Sequence, residues 1–163
     1  MAVRSLSGDD WVLWRSLRLD ALLTDPGAFG STHEREVEFD EATWRQRLTS
    51  FQDRPIGTFV DEVHGEAVGI VGIGFFESET VPMLISMWVR PSARGLGCGR
   101  RLVDAAVAWA REQAAPKVML WVVRENLGAI HLYESCGFVP SGTVDALASD
   151  PCTEELEMEL TLA

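Results

Sequence analysis

The amino-acid sequence predicts an α/β fold, α+β in the order of its elements, with a mixed, mostly antiparallel twisted sheet flanked by helices. Three observations carry that expectation. Apolar residues near the N-terminus recur at three- and four-residue spacing, residues 56–89 change to alternating β-branched and apolar positions, and residues 81–123 then read strand, helix, strand. The 163 residues, 47% hydrophobic and 24% charged, suffice for a single domain over 1–163 with its own core.

Ala2 to Leu6 reads as a short strand. Asp9 or Asp10 then caps a helix carrying Trp14, Leu17, Leu19, Leu22 and Leu23, and Asp25-Pro26-Gly27 stops it. A second helix starts around Asp40-Glu41-Ala42, with Trp44 and Leu48 four apart, leaving Gly27 to Phe39 as an irregular segment of the kind that borders a pocket. Ile56 to Glu62, Ala67 to Glu77 and Val81 to Val89 read as three strands. Val63-His64-Gly65-Glu66 and Glu77-Ser78-Glu79-Thr80 are their turns, so the strands pair antiparallel. Leu102, Val103, Ala106, Val107 and Ala110 share one helical face that ends near Ala115-Pro116, and Lys117 to Val123 is a strand apolar enough to be covered on both sides. Strand, helix, strand in this order makes a right-handed crossover, so Lys117 to Val123 runs parallel to Val81 to Val89. A helix over Asn126 to Ser135 ends at Gly137, and Phe138 to Val144 and Glu154 to Leu162 complete the sheet.

Composition excludes several function classes. Fourteen Lys and Arg against 25 Asp and Glu give a net charge of −11, which argues against a nucleic-acid partner and favours the approach of cations. Cys98, Cys136 and Cys152 form no disulfide framework and no zinc-ligand spacing, so no metal is expected and a reducing cytoplasm fits. The N-terminus lacks an apolar signal core, and the longest nearly apolar run, Ala67 to Phe76, falls well short of the ~20 residues that cross a bilayer, so no membrane association is expected.

The segment Arg90-Pro91-Ser92-Ala93-Arg94-Gly95-Leu96-Gly97-Cys98-Gly99-Arg100-Arg101 joins the third strand to the long helix with four arginines and no acid. Three glycines there let backbone N–H groups approach an anion, and the helix N-terminus adds partial positive charge, so a diphosphate fits. A tight strand-to-helix turn with solvated arginines is the other reading of the same spacing. Gly95-x-Gly97-x-Gly99 is not the dinucleotide Gly-x-Gly-x-x-Gly, and no Gly-Lys-Ser or Gly-Lys-Thr occurs. Arg-x-x-Gly-x-Gly, as Arg94, Gly97 and Gly99, remains.

Met83 to Leu102 resembles motif A of the GNAT superfamily of acyl-CoA-dependent N-acyltransferases: strand, pyrophosphate loop, helix. Asn126-Leu127-Gly128-Ala129-Ile130-His131-Leu132-Tyr133-Glu134-Ser135-Cys136-Gly137-Phe138 resembles motif B, and the order of elements from Ala2 to Leu162 follows the family's. The resemblance implies a parallel strand pair that splays to hold acetyl-CoA as cosubstrate. Backbone groups of Met87, Trp88 and Val89 would meet the pantetheine arm. The amides of Gly95, Leu96, Gly97, Cys98, Gly99 and Arg100, led by Arg94, would bind the pyrophosphate. Arg100 and Arg101 either assist or form a solvated helix face.

Asn126 caps its helix and, by the resemblance, contacts the cofactor arm. Asn126, Ala129, Ile130 and Tyr133 share a helix face by spacing, and the resemblance makes Tyr133 the catalytic acid that protonates the departing thiolate, aromatic packing being its other reading. A backbone N–H near Met87 to Val89 would stabilise charge on the thioester oxygen. An alkyl amine with pKa ~10.4 must also lose a proton before it attacks. Some members of the superfamily have a glutamate on the strand before the loop, where this chain has only Ser86 as a polar residue. Glu34, Glu36, Glu77 and Glu79 are candidate bases that read first as solvated surface acids. His33, His64 and His131 show no partner spacing, and Cys98 reads as a packing or surface residue. Trp88 and Trp121 line an acceptor pocket if their side chains face it, and Gly27 to Phe39 with Ala146 to Thr153 would set acceptor choice. The expected activity is acetyl transfer to a primary amine of a small molecule or peptide, in a monomer or homodimer. A non-catalytic acyl-CoA-binding module is the alternative.

Overall fold

Alternating apolar residues in the middle of the chain build a seven-stranded sheet, and the amphipathic helices cover both its faces. The computed structural model describes residues 1–162. In chain order the strands are β1 (Ala2–Ser5), β2 (Ser50–Phe51), β3 (Arg54–Pro55), β4 (Gly57–Val63), β5 (Glu66–Gly74), β6 (Met83–Val89), β7 (Lys117–Val123), β8 (Val139–Leu147) and β9 (Asp150–Thr161). The large sheet runs β1-β4-β5-β6-β7-β9-β8, and β2 pairs with β3 apart from it. Every neighbour pair of the large sheet is antiparallel except β6 with β7, the parallel pair expected from the crossover. The helices are α1 (Trp11–Thr24), α2 (His33–Glu36), α3 (Glu41–Thr49), α4 (Cys98–Glu112) and α5 (Leu127–Ser135).

Local chemistry accounts for most element ends. Asp40 accepts from the Thr43 N–H at 2.9 Å and starts α3 where the sequence marks it. His64 and Gly65 have φ of 54° and 79°, the two left-handed residues of a tight hairpin between β4 and β5. The start of α1 departs from expectation, because neither Asp9 nor Asp10 caps it with a side chain. Ser7 and Asp10 instead form a capping box around a 3₁₀ turn, Gly8–Asp10, that leads into the helix. The irregular segment also holds more structure than its composition suggests: a 3₁₀ turn at Pro26–Ala28 and the single-turn α2, capped by Thr32. Ala146 to Thr153 is no open connection either, since β8 continues to Leu147 and β9 starts at Asp150.

The two faces have separate cores. Leu102, Val103, Ala106, Val107 and Ala110 of α4 pack on Val71, Ile73, Leu84 and Leu120, as their shared face requires. On the opposite face Trp14, Leu17, Leu22, Trp44 and Leu48 of α1 and α3 pack on Val60, Ile70 and Trp88. Leu23 stays outside that core at 63% exposure, one position beyond the buried stripe.

Strand β6 does not alternate regularly. Gly72 pairs with Ile85 and Ile70 with Trp88, so Ser86 and Met87 together oppose Val71, and Ser86 takes φ of 57°. This bulge flips the alternation: Leu84 faces the α4 core, whereas Trp88, four residues on, faces α1. A left-handed serine inside a strand costs about 1–3 kcal/mol, so the surroundings must hold it. Pairing between β6 and β7 covers only Met83 with Met119 and Leu84 with Leu120, and the two strands then diverge. At the far edge, β8 is exposed along its length up to Leu147. No helix among the described residues is long and apolar enough to cross a membrane, and Cys98, Cys136 and Cys152 are free thiols.

Candidate active site

Where β6 and β7 part, a cleft of about 810 Å³ opens. Its walls are Leu84 to Val89 of β6, Trp121 to Val123 of β7, the loop residues Arg94, Gly95 and Gly97 to Arg100, the start of α5 with Asn126, Ala129, Leu132 and Tyr133, and the Asp25 to Phe29 turn. The structure thus brings together Met87, Trp88, Val89, Arg94, Gly95, Gly97, Cys98, Gly99, Arg100, Asn126 and Tyr133. Leu96 does not line the cleft. Its side chain is half-exposed, and its carbonyl accepts from Arg101 Nη1 at 3.0 Å.

The loop is a cradle of amides. Gly95 and Gly97 have φ of 81° and 80°, the conformation only glycine takes without strain, and Gly97 is the N-terminal flank of α4. No backbone carbonyl among the described residues accepts from the N–H groups of residues 95–100. A row of free N–H groups at a helix start suits an anion. Gly99 serves another purpose. A Cβ there would sit 2.8 Å from Leu132 Cδ2 and 3.3 Å from Met87 Cε, so its lack of a side chain lets α4 pack closely on α5.

The four arginines are not the open positive patch their sequence suggests. Arg94 reaches Asp25 Oδ2 at 2.6 Å and donates through Nε to the Val89 carbonyl at 2.9 Å, so that strand-edge oxygen is already occupied. Asp25 Oδ2 also accepts from Trp88 Nε1 at 2.8 Å, which turns that indole toward α1. Arg90 pairs with Asp20 and Glu66. Arg101 pairs with the fully buried Asp61 through Nε and Nη2, at 3.1 and 2.8 Å, so it is neither a solvated face nor a phosphate ligand. Arg100 has no acidic partner within ion-pair distance among the described residues and donates to the Ser135 carbonyl. What faces the cleft is therefore chiefly backbone dipole.

On the α5 wall, Asn126 Oδ1 accepts from the Ala129 N–H at 3.3 Å. Ala129 and Tyr133 line the cleft with Asn126, whereas Ile130 packs into the α4 core. Tyr133 is 5% exposed and packs on Phe138 with ring centroids 5.9 Å apart. Burial raises the phenol above its ordinary pKa, so it stays protonated and available as a donor. Cys98 is buried, and its thiol is pushed up first by that burial and then by Asp61, as suits a packing residue.

Among the candidate bases, Glu34, Glu77 and Glu79 are surface acids. Glu36 is not: it is fully buried and held by Arg18. Burial alone would raise its carboxyl, but Arg18, with Ser31 and Arg47 beside it, keeps it below its ordinary value. His64 and His131 are exposed and His33 is half-buried. The carboxylates that do line the cleft are Asp25 and Glu125. Sequence reading missed both, since each looks like a helix-end or turn acid until the fold brings it to the cleft. Trp121 does line the cleft. The two segments assigned to acceptor choice also meet: Ser149 Oγ at the β8–β9 turn donates to the Phe29 carbonyl.

Comparison with known proteins agrees with this arrangement. The model of the acetyltransferase (GNAT) family matches residues 14–138. The chain is 31% identical over 144 residues to a mycothiol acetyltransferase of Thermobispora bispora, covering 86% of this chain and 46% of that one. It is 38% identical over 87 residues to an uncharacterized N-acetyltransferase of Methanocaldococcus jannaschii, covering 50% of this chain and 38% of that one. The chain thus spans less than half the length of these two relatives. Among solved structures, a Streptococcus pneumoniae acetyltransferase of the GNAT family has a TM-score of 0.79 at 21% identity, covering 99% of both chains. The yncA structure from Salmonella typhimurium, solved with its cofactor acetyl-CoA, has a TM-score of 0.78 at 20% identity over 100% of this chain and 94% of that one. At these identities the solved structures speak to the fold.

Proposed function

The chain belongs to the GNAT acetyltransferase family, and from that membership we propose that it is an N-acetyltransferase that passes an acetyl group from acetyl-CoA directly to a primary amine. The observation that carries this reading is the wedge between β6 and β7, where unpaired strand edges meet the free amides of residues 95–100. A thin arm ending in a diphosphate suits that geometry, and the acetyl-CoA in the yncA structure supports the same ligand here.

Acetyl-CoA supplies the activated thioester: the amine nitrogen bonds to the acetyl carbon, the carbon–sulfur bond breaks, and the sulfur leaves as thiolate. Gly95 and Gly97 let the loop amides close on the diphosphate, and the start of α4 adds its dipole. The unpaired edge of β6 beyond Leu84 orients the arm, with a backbone N–H near Met87 to Val89 facing the developing oxyanion. Asn126 caps α5 and so fixes the wall that carries Tyr133. The Tyr133 hydroxyl donates to the departing sulfur. Since a thiol of pKa ~8.5 is already a fair leaving group, this proton contributes toward the lower end of the ~10²- to 10⁴-fold range of general acids.

The ammonium form of the acceptor must give up its proton, at a cost of roughly 4–5 kcal/mol at pH 7 for a pKa of ~10.4. Asp25 is engaged by Arg94 and Trp88, which leaves water at the open mouth or Glu125 to receive it. The acceptor wall is Phe29 and Trp121, apolar and aromatic, in a chain whose net charge of −11 favours cations. Small molecules and peptides that carry a primary amine fit these conditions, and mycothiol-type acceptors join the panel because of the relatives' name.

Calorimetric titration with acetyl-CoA and with CoA, followed by a thiol-release screen over a panel of amines, tests the proposal. Micromolar binding with amine-dependent thiol release is expected. Binding without release from any amine would favour the non-catalytic acyl-CoA module, and no binding would overturn the reading.

A further inference from the structure

Arg18 and Glu36 form the most deeply buried ion pair described here, and acetyl transfer as set out above makes no use of it. Arg18 donates to both carboxylate oxygens, Nε to Oε1 at 3.0 Å and Nη2 to Oε2 at 2.8 Å, with side-chain exposures of 7% and 0%. Removing two charges from water is costly, and such a pair is often no better for stability than apolar residues of the same volume. Its remaining nitrogen shows what else it does: Nη1 reaches Ser86 Oγ at 3.4 Å. Ser86 is the left-handed residue of the β6 bulge, where the strand turns away from β7.

We propose that Arg18, oriented by Glu36, is a positioning residue for acetyl transfer that holds Ser86 in its left-handed conformation and thereby sets the splay of β6. The proposal rests on the acetyltransferase reading. The guanidinium is planar, and two of its nitrogens are fixed by one carboxylate, so the third has a fixed aim. Phe29, on the acceptor wall, lies over the same guanidinium at 5.0 Å. One side chain therefore joins the acceptor wall to the cofactor strand. Arg47 stands 3.7 Å from Glu36, so the carboxylate keeps a second cation if Arg18 is altered.

Arg18→Lys is the test, because lysine keeps the charge but cannot hold both carboxylate oxygens and Ser86 together. We expect kcat to fall about tenfold while KM for acetyl-CoA changes less than about threefold. Adding Ser86→Gly to Arg18→Lys should bring kcat back to within about threefold of the parent, since glycine takes the left-handed conformation without a tether. A purely structural role for Arg18 would show no such rescue. Parental kcat in Arg18→Lys, or no recovery on adding Ser86→Gly, overturns the proposal. Should Arg18→Lys fail to fold, the charge-free pair Arg18→Met with Glu36→Met takes its place in the same comparison. If the parent transfers acetyl to no amine, the acetyltransferase reading falls on its own. Crystal structures of the parent and Arg18→Lys then decide the positioning role: Ser86 leaving the left-handed region in the variant supports it, and an unchanged Ser86 overturns it.

Discussion

Tyr133 has one polar atom in an apolar neighbourhood, and no side chain among the described residues hydrogen-bonds to it, so its hydroxyl is free to serve the cleft. Tyr133→Phe should lower kcat about 10- to 100-fold while acetyl-CoA affinity by calorimetry changes little; equal losses in both would make it a binding residue. Gly97 is bound to its role by backbone geometry. At φ of 80° a Gly97→Val side chain costs about 1–2 kcal/mol and reshapes the amide cradle, so acetyl-CoA affinity should fall at least about tenfold. The positions of both residues at the cleft were legible, Gly97 from the glycine spacing of its loop and Tyr133 from its place in the stretch that resembles motif B. Ser86 was visible only as the single polar residue of its strand. Nothing in that spelling announces a bulge, which arises from two strands failing to match residue for residue.

The elements were read best where their ends are marked by short-range chemistry. Asp40 before α3 and Asn126 before α5 accept from N–H groups three residues on, so their signatures sit within four residues of sequence. The ion pairs of the loop arginines were not legible because their partners come from other elements: Asp61 is 40 positions from Arg101, and Asp25 is 69 from Arg94. Arg101 holds the Leu96 carbonyl and the buried Asp61 at once, so Arg101→Met should cost about 2 kcal/mol in denaturant unfolding and loosen the loop, the part exposure of Arg101 keeping it below the ~3–5 kcal/mol of a fully buried pair. Gly99→Val should destabilise by about 1–3 kcal/mol through its clash with Leu132, an effect on α4–α5 packing that appears without any ligand. The Arg18–Glu36 pair joins α1 to α2 and carries a pH signature. Glu36 has a lowered folded-state pKa, so its contribution is complete above the ordinary carboxyl value of 4.5 and is lost as pH falls through the folded value. Acid unfolding followed by circular dichroism should therefore be shallower below pH 4.5 in Arg18→Met/Glu36→Met than in the parent.

For the molecule as a whole, the proposed acetyl transfer depends on how the acceptor arrives. The amine must be neutral when it attacks, and neither cleft carboxylate is bonded to Tyr133 or Asn126, so kcat/KM for a simple alkyl amine should rise with pH toward the amine's own pKa. A plateau near pH 6–7 instead would point to an enzyme base, with Glu125 the first residue to change. The overall architecture was legible because two motifs and the periodicity around them agree. The two segments assigned to acceptor choice do meet, through Phe29 and Ser149, but their contact spans 120 positions and carries no pattern that names the residues involved.

The exposed outer strand β8 bears on how the protein behaves when crowded with copies of itself. An unpaired strand edge is a template for β-sheet growth, and the outer edge of this one would invite it along nine residues. Its register with β9 slips between Pro140 and Val144, Pro140 has no N–H to offer, and Gly142 turns left-handed at φ of 93°. Only Val144 to Ala146 keep regular register with β9 before a second slip at Leu147, too little to seed a ladder. The interruption acts as a guard against edge-to-edge polymerisation, and restoring alternation with Pro140→Thr and Gly142→Val should be seen as concentration-dependent light scattering that the parent lacks.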